Sequence, residues 1–141
     1  MGDGISKIEK YGVSTDDISE ALGVFASTDN DHSSAPSQDY TTEQTIFEIA
    51  LDTRYEIKGA WIDITPFTNG SNITIQFYRS VSAAGGTYRK SGSAYTVTKN
   101  TDNPVVDISD YAHYGYTKVT AISDGGETVE VPFGRIICPM E

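Results

Sequence analysis

RYEIKGAWIDITPFTNGSNITIQFYRSV, residues 54–81, decides the fold. Ile73, Ile75 and Phe77 alternate with Thr74, Gln76 and Tyr78, which is the two-residue period of a strand with one buried face. Upstream, Tyr55 and Ile57 alternate with Glu56 and Lys58. Gly59 then interrupts the run, and a glycine inside a strand marks a bulge that shifts which face is buried. Trp61 follows among Ile62 and Ile64. As the only tryptophan of the chain, it is expected to fill the core, with truncation to Ala costing about 3–5 kcal/mol. Between the two strands, Pro66 cannot donate to a ladder and Asn69-Gly70 takes the positive φ of a tight turn.

Working outward, the same texture fills the second half of the chain. Residues 45–51 alternate with Phe47, Ile49 and Leu51 inward. Residues 87–90 and 94–97 are predicted as two short strands separated by Ser91-Gly92-Ser93. Pro104 opens another at residues 105–108. Residues 115–123 alternate with Thr117, Val119 and Ala121 on one face. Asp124-Gly125-Gly126-Glu127 is a hairpin turn into the inward row Val129, Val131 and Phe133. Gly134 is expected to break that row before a last short strand at Ile136-Ile137. About eight short strands at close spacing predict a mainly β fold, an antiparallel, jelly-roll-like β-sandwich.

The first 43 residues read differently. Ser14 or Thr15 can cap a helix whose first turn carries Asp16 and Asp17 at the positive end of the dipole. Ile18, Leu22 and Phe25 share a face at helical spacing, predicting a short helix over residues 16–26. A helix of about three turns is not stable alone, so this face needs a partner. Residues 28–42, TDNDHSSAPSQDYTT, are polar and turn-rich and read as a linker. The expected organisation is an acidic N-terminal arm over residues 1–43 and a β-sandwich domain over 44–141.

Charge follows the same division. The net is −10 in 141 residues, and residues 1–43 hold nine acids against Lys7 and Lys10. This balance disfavours nucleic acid and anionic membrane, both of which need clustered Lys and Arg. No apolar run approaches the roughly 20 residues of a membrane span, and the N-terminus lacks the plan of a signal peptide. A soluble protein made in a reducing cytosol is expected, with the single Cys138 as a buried structural thiol.

Candidate chemistry is sparse. Asp29, Asn30, Asp31 and His32 could ligate a cation, but the later Gly and bidentate Glu of a calcium loop are missing, so no metal is assigned. His113 lies beside Asp107, Ser109 and Asp110, without the nucleophile elbow of a serine hydrolase. Glu48 with Glu56, or Asp63, could form a glycosidase-like carboxylate pair, yet solvent-facing carboxylates on half-buried strands give the same pattern. No catalytic residue, cofactor or phosphate loop is assigned. Tyr88, Tyr111 and Tyr114 fall in or near loops, where tyrosine can anchor a partner or stack on a sugar. Asn72-Ile73-Thr74 reads as a turn-to-strand junction in spite of its glycosylation-acceptor spacing.

Residues 53–57, 61–65 and 72–78, with Gly86-Thr87-Tyr88-Arg89, Lys118-Val119-Thr120 and Val131-Pro132-Phe133, resemble small β-sandwich structural proteins of tailed phages. The resemblance covers about residues 44–138 and has no diagnostic motif. It implies a non-enzymatic virion component, of the capsid decoration or cement type or a head or tail accessory. Such a component would be made in the host cytoplasm and would be a homo-oligomer bound to capsid or other virion proteins. Ile18, Leu22 and Phe25 of the arm, with Tyr88, Tyr111 and Tyr114, are then the candidate partner-binding residues. The alternative is a carbohydrate-binding sandwich that uses exposed tyrosines.

Overall fold

The computed structural model describes residues 29–81, 86–108 and 112–140. The predicted helix, with Ile18, Leu22 and Phe25, lies outside the described residues, as does Tyr111. The strands are β1 (Asp29–Asp39), β2 (Gln44–Ile49), β3 (Arg54–Asp63), β4 (Asn72–Ser80), β5 (Tyr88–Thr98), β6 (Val105–Ile108), β7 (Ala112–Tyr114), β8 (Thr117–Ser123) and β9 (Thr128–Met140).

They form two antiparallel sheets. One has the order β1-β9-β3-β6, with β7 also paired to β3, and the other the order β2-β8-β4-β5. β6 and β7 pair with opposite halves of β3, so together they fill one strand position. The pairings nest: β1 with β9, β2 with β8, β3 with β6 and β7, and β4 with β5. A chain doubled into one long hairpin and then rolled closes with these partners, which is the jelly roll. The expected sandwich is therefore present, with eight strand positions.

Its core follows the period-2 alternation. Ile62, Ile64, Val131, Phe133 and Ile137 meet Phe47, Ile49, Ile73, Ile75 and Val119, all buried. Phe47 and Phe133 stack across the two sheets with ring centroids 5.0 Å apart. Tyr55 is fully buried, and its hydroxyl donates to Thr117 Oγ1 on the opposite sheet. Removing that hydroxyl leaves the buried threonine short of a partner. Tyr55→Phe should therefore lower stability by about 1–3 kcal/mol in urea unfolding.

Three local expectations change. Residues 29–39 of the supposed linker are β1, which runs along β9 from Asp29↔Ile137 to Asp39↔Thr128. β9 supplies backbone partners on both sides of a register shift between Ala35 and Gln38, and this overrides the polar side chains of an edge strand. The two predicted strands at 87–90 and 94–97 are one strand, β5. There the register shifts opposite Gln76, Gly92 has φ +75°, and the Gln76 amide donates to the carbonyl of Gly92 at 3.3 Å. What read as a turn is a bulge. Gly134 likewise does not end a strand, since β9 continues through it to Met140.

The bulge expected at Gly59 is present: the β3–β9 register shifts between Ile57 and Gly59. Its consequence overturns the placement of Trp61. Tyr55 and Ile57 face inward, the extra residue flips the parity, and Ala60, Ile62 and Ile64 become the buried set. Trp61 is half-buried on the outer face of the sheet, outside the core.

The connections gather at the two ends. Residues 40–43, 64–71, 99–104 and 124–127 share one end, tied by Ile64 N to Pro104 O at 2.7 Å, Gly70 N to Lys99 O at 2.8 Å and Tyr40 N to Glu127 O at 2.9 Å. β1 begins at the other end, where Asp29 lies beside Ile137.

Candidate functional site

Each sheet has an outer face, and on each one a cross-strand row gathers the side chains able to contact a ligand. On the β1-β9-β3-β6 face the row is His32, Gly134, Trp61 and Asp107, brought into line by the registers of three strand pairs. Gly134 is what allows the indole to lie on the sheet. A Cβ built at that position would stand 2.4 Å from Trp61 Nε1 and 2.5 Å from Cε2. The His32 ring meets the indole edge-on, at 5.4 Å between centroids and 87° between planes. A cleft of about 320 Å³ opens here, lined by His32, Gly59, Trp61, Asp107 and Ile136 among others. Of the lining residues, Ile136 is 42% exposed. Arg135 also borders the cleft, but Nη1 donates to the Glu48 carbonyl at 2.7 Å and the guanidinium lies over Phe47.

On the opposite face, Glu48, Lys118, Tyr78 and Lys90 form a row. Lys118 Nζ lies 5.1 Å from the centre of the Tyr78 ring and 4.8 Å from that of Tyr88. Tyr78 donates to Glu43 at 2.6 Å, and Tyr88 donates to Glu48. The hydrogen bond to Glu43 holds the Tyr78 phenol protonated to about pH 12, with burial and the carboxylate charge adding to it. Burial, followed by the bond to Glu48, raises Tyr88 as well. Both phenols stay neutral donors across the physiological range, fixed by their partners.

The structure thus separates the sequence-level candidates. Tyr88 belongs to the cluster on one sheet, while Tyr114 is 64% exposed on β7 of the other. Glu48 and Glu56 are on different sheets, and Glu56 is 3.1 Å from Lys58, so they form no carboxylate pair. Asp63 Oδ1 accepts the Thr65 amide at 2.8 Å and caps a turn. The Asn72 amide donates to Asp124 Oδ2 at 2.7 Å, as suits a turn-to-strand junction. Cys138 is buried. Among the described residues no group of three His, Cys, Asp or Glu side chains could hold a metal ion, and no helix is long and apolar enough to cross a membrane.

Sequence reasoning missed the Trp61 cleft. The signals were present: a bulge glycine two residues before the tryptophan, and a second glycine in a late strand. Their meeting depends on the pairing of β3 with β9, residues far apart in the chain. No family model, curated protein or solved structure matches this chain.

Proposed function

We propose that the chain is a non-enzymatic structural protein of a virus particle, a capsid decoration or cement protein or another head or tail accessory that acts as a homo-oligomer. The observation that carries this reading is the nested strand pairing of a jelly roll, an architecture that recurs in viral capsid proteins. Fold alone does not specify function, so two further features support the reading. The texture of residues 44–138 resembles small virion proteins of tailed phages, and the segment before β1, residues 1–28, is itself acidic, with five acids against Lys7 and Lys10. An acidic segment that orders on binding can wrap a large partner surface. Ile18, Leu22 and Phe25 would be its apolar anchors.

The test is co-sedimentation with virus particles from the chain's own source, alongside light scattering of the free protein. The full chain should form an oligomer and sediment with the particles. Deleting residues 1–28 should remove binding and leave thermal unfolding nearly unchanged. The deletion stops at 28 because residues 29–39 form an edge strand of the sandwich. A monomer that stays in the supernatant overturns the virion reading, and a truncated chain that still sediments rejects the arm as anchor.

A further inference from the structure

We propose that the outer-face cleft over Trp61 is a binding site for a neutral pyranose saccharide. The inference does not depend on the virion reading, because it rests on one sheet face and none of its residues belongs to the arm.

The cleft has the parts a sugar requires. The missing side chain at Gly134 lets the indole lie against the strand, where any Cβ would come within 2.7 Å of Cζ2 and closer to two other ring atoms. One face of the ring is thereby spent on the backbone. The half-buried indole presents what remains to the cleft. A pyranose has a flat face of C–H groups that stacks on such a ring, and a rim of hydroxyls that needs directional partners. Asp107, opposite Trp61 in the register and exposed, supplies a carboxylate acceptor. His32, held edge-on to the indole, supplies a ring nitrogen on the other side. A volume of about 320 Å³ is at the small end of ligand pockets, enough for one sugar unit of a longer glycan.

The chemistry also selects against other ligands. A nucleotide or sulfated sugar would bring negative charge to Asp107 on a chain of net charge −10. Among the described residues that line the cleft Arg135 is the one cation, short of the cluster such a ligand needs. The Arg135 guanidinium is turned to the opposite sheet. A flat apolar platform between an acid and an imidazole fits a neutral polyol. Stacking explains why the site is built around a glycine, since a side chain at 134 would lift the ring off the sheet.

Trp61 is the only tryptophan, so its fluorescence reports this site alone. The full chain is titrated with methyl β-glucopyranoside, methyl β-galactopyranoside, N-acetylglucosamine, lactose and chitotriose, recording emission and acrylamide quenching. At least one should give a saturable change, with Kd on the order of 1 mM, and should shield the indole from acrylamide. Asp107→Ala should weaken that sugar by about tenfold, the loss of one charge-assisted hydrogen bond. Gly134→Ala should abolish the response. If that variant fails to fold, Asp107→Ala, on an exposed position, still decides. No saturable response to any of these sugars up to about 50 mM, a range that covers weak monosaccharide affinities, overturns the assignment. So does a response that Asp107→Ala leaves unchanged.

Discussion

Ile62→Ala should cost about 2–5 kcal/mol, while truncating its neighbour Trp61 should cost only about 1–2 kcal/mol. The order is the reverse of what side-chain size suggests. Ile62 is 1% exposed and faces the opposite sheet, so its removal leaves a cavity in a close-packed interior that relaxes only in part. Trp61 is half-buried on the outer face and rests on Gly134. Its loss uncovers a glycine and some backbone, and water fills the space. Urea unfolding of the two variants against the wild type separates the cases. A Trp61→Ala cost in the 3–5 kcal/mol range with a mild Ile62→Ala would mean that the bulge at Gly59 does not flip the parity of β3.

Glu127→Ala should cost about 1.5–3 kcal/mol at neutral pH, although the residue sits in a surface hairpin. Glu127 Oε1 accepts from Ser71 Oγ at 2.6 Å and from the Thr68 amide at 2.9 Å, and Oε2 accepts from Ser123 Oγ at 2.7 Å. One carboxylate therefore ties the 64–71 connection to the 124–127 hairpin, and truncation strands donors on two buried serines. Partial burial pushes the acid upward, but the hydroxyls of Ser71 and Ser123 and the Thr68 amide outweigh it and bring it to about 2, from an ordinary 4.5. A pKa lowered by folding contributes stability that is fully present above the unfolded value and is lost as pH falls through the folded one. The wild type should therefore lose stability between about pH 4.5 and pH 2 more steeply than Glu127→Gln, which has no charge to titrate. Asp39, lowered by its hydrogen bonds to Thr41, titrates alike in both proteins and cancels in the comparison. Asp124, lowered by its bonds to Asn72, also feels the Glu127 charge, which raises it. In the variant its titration therefore moves to lower pH, which offsets a part of the difference. Parallel pH profiles for wild type and Glu127→Gln would show that the carboxylate does not clamp the loops.

Much of the architecture can be read along the chain because the signals that specify strands are local. The alternations of β4 and β8, the hairpin at 124–127 and the bulge glycine at 59 each depend on residues within a few positions of one another. Period-2 burial then requires two facing sheets. The acidic bias of the first 43 residues is equally a property of sequence. Those features specify the class of fold; the strands themselves differ, since β1 and β7 are not among the expected ones and β5 and β9 each run through a predicted break.

What remained hidden depends on partners distant in sequence. Residues 29–39 carry polar side chains and become a strand because β9, about a hundred residues later, leaves a row of backbone groups to satisfy. Which face Trp61 occupies turns on one extra residue in the β3–β9 register, and a one-residue slip moves every following side chain to the opposite face. The row of His32, Gly134, Trp61 and Asp107 joins four strands, so no window of sequence contains it. Alternation says that a strand has two faces. Only the pairing of strands says which face is inside, and which residues of the outer one stand side by side.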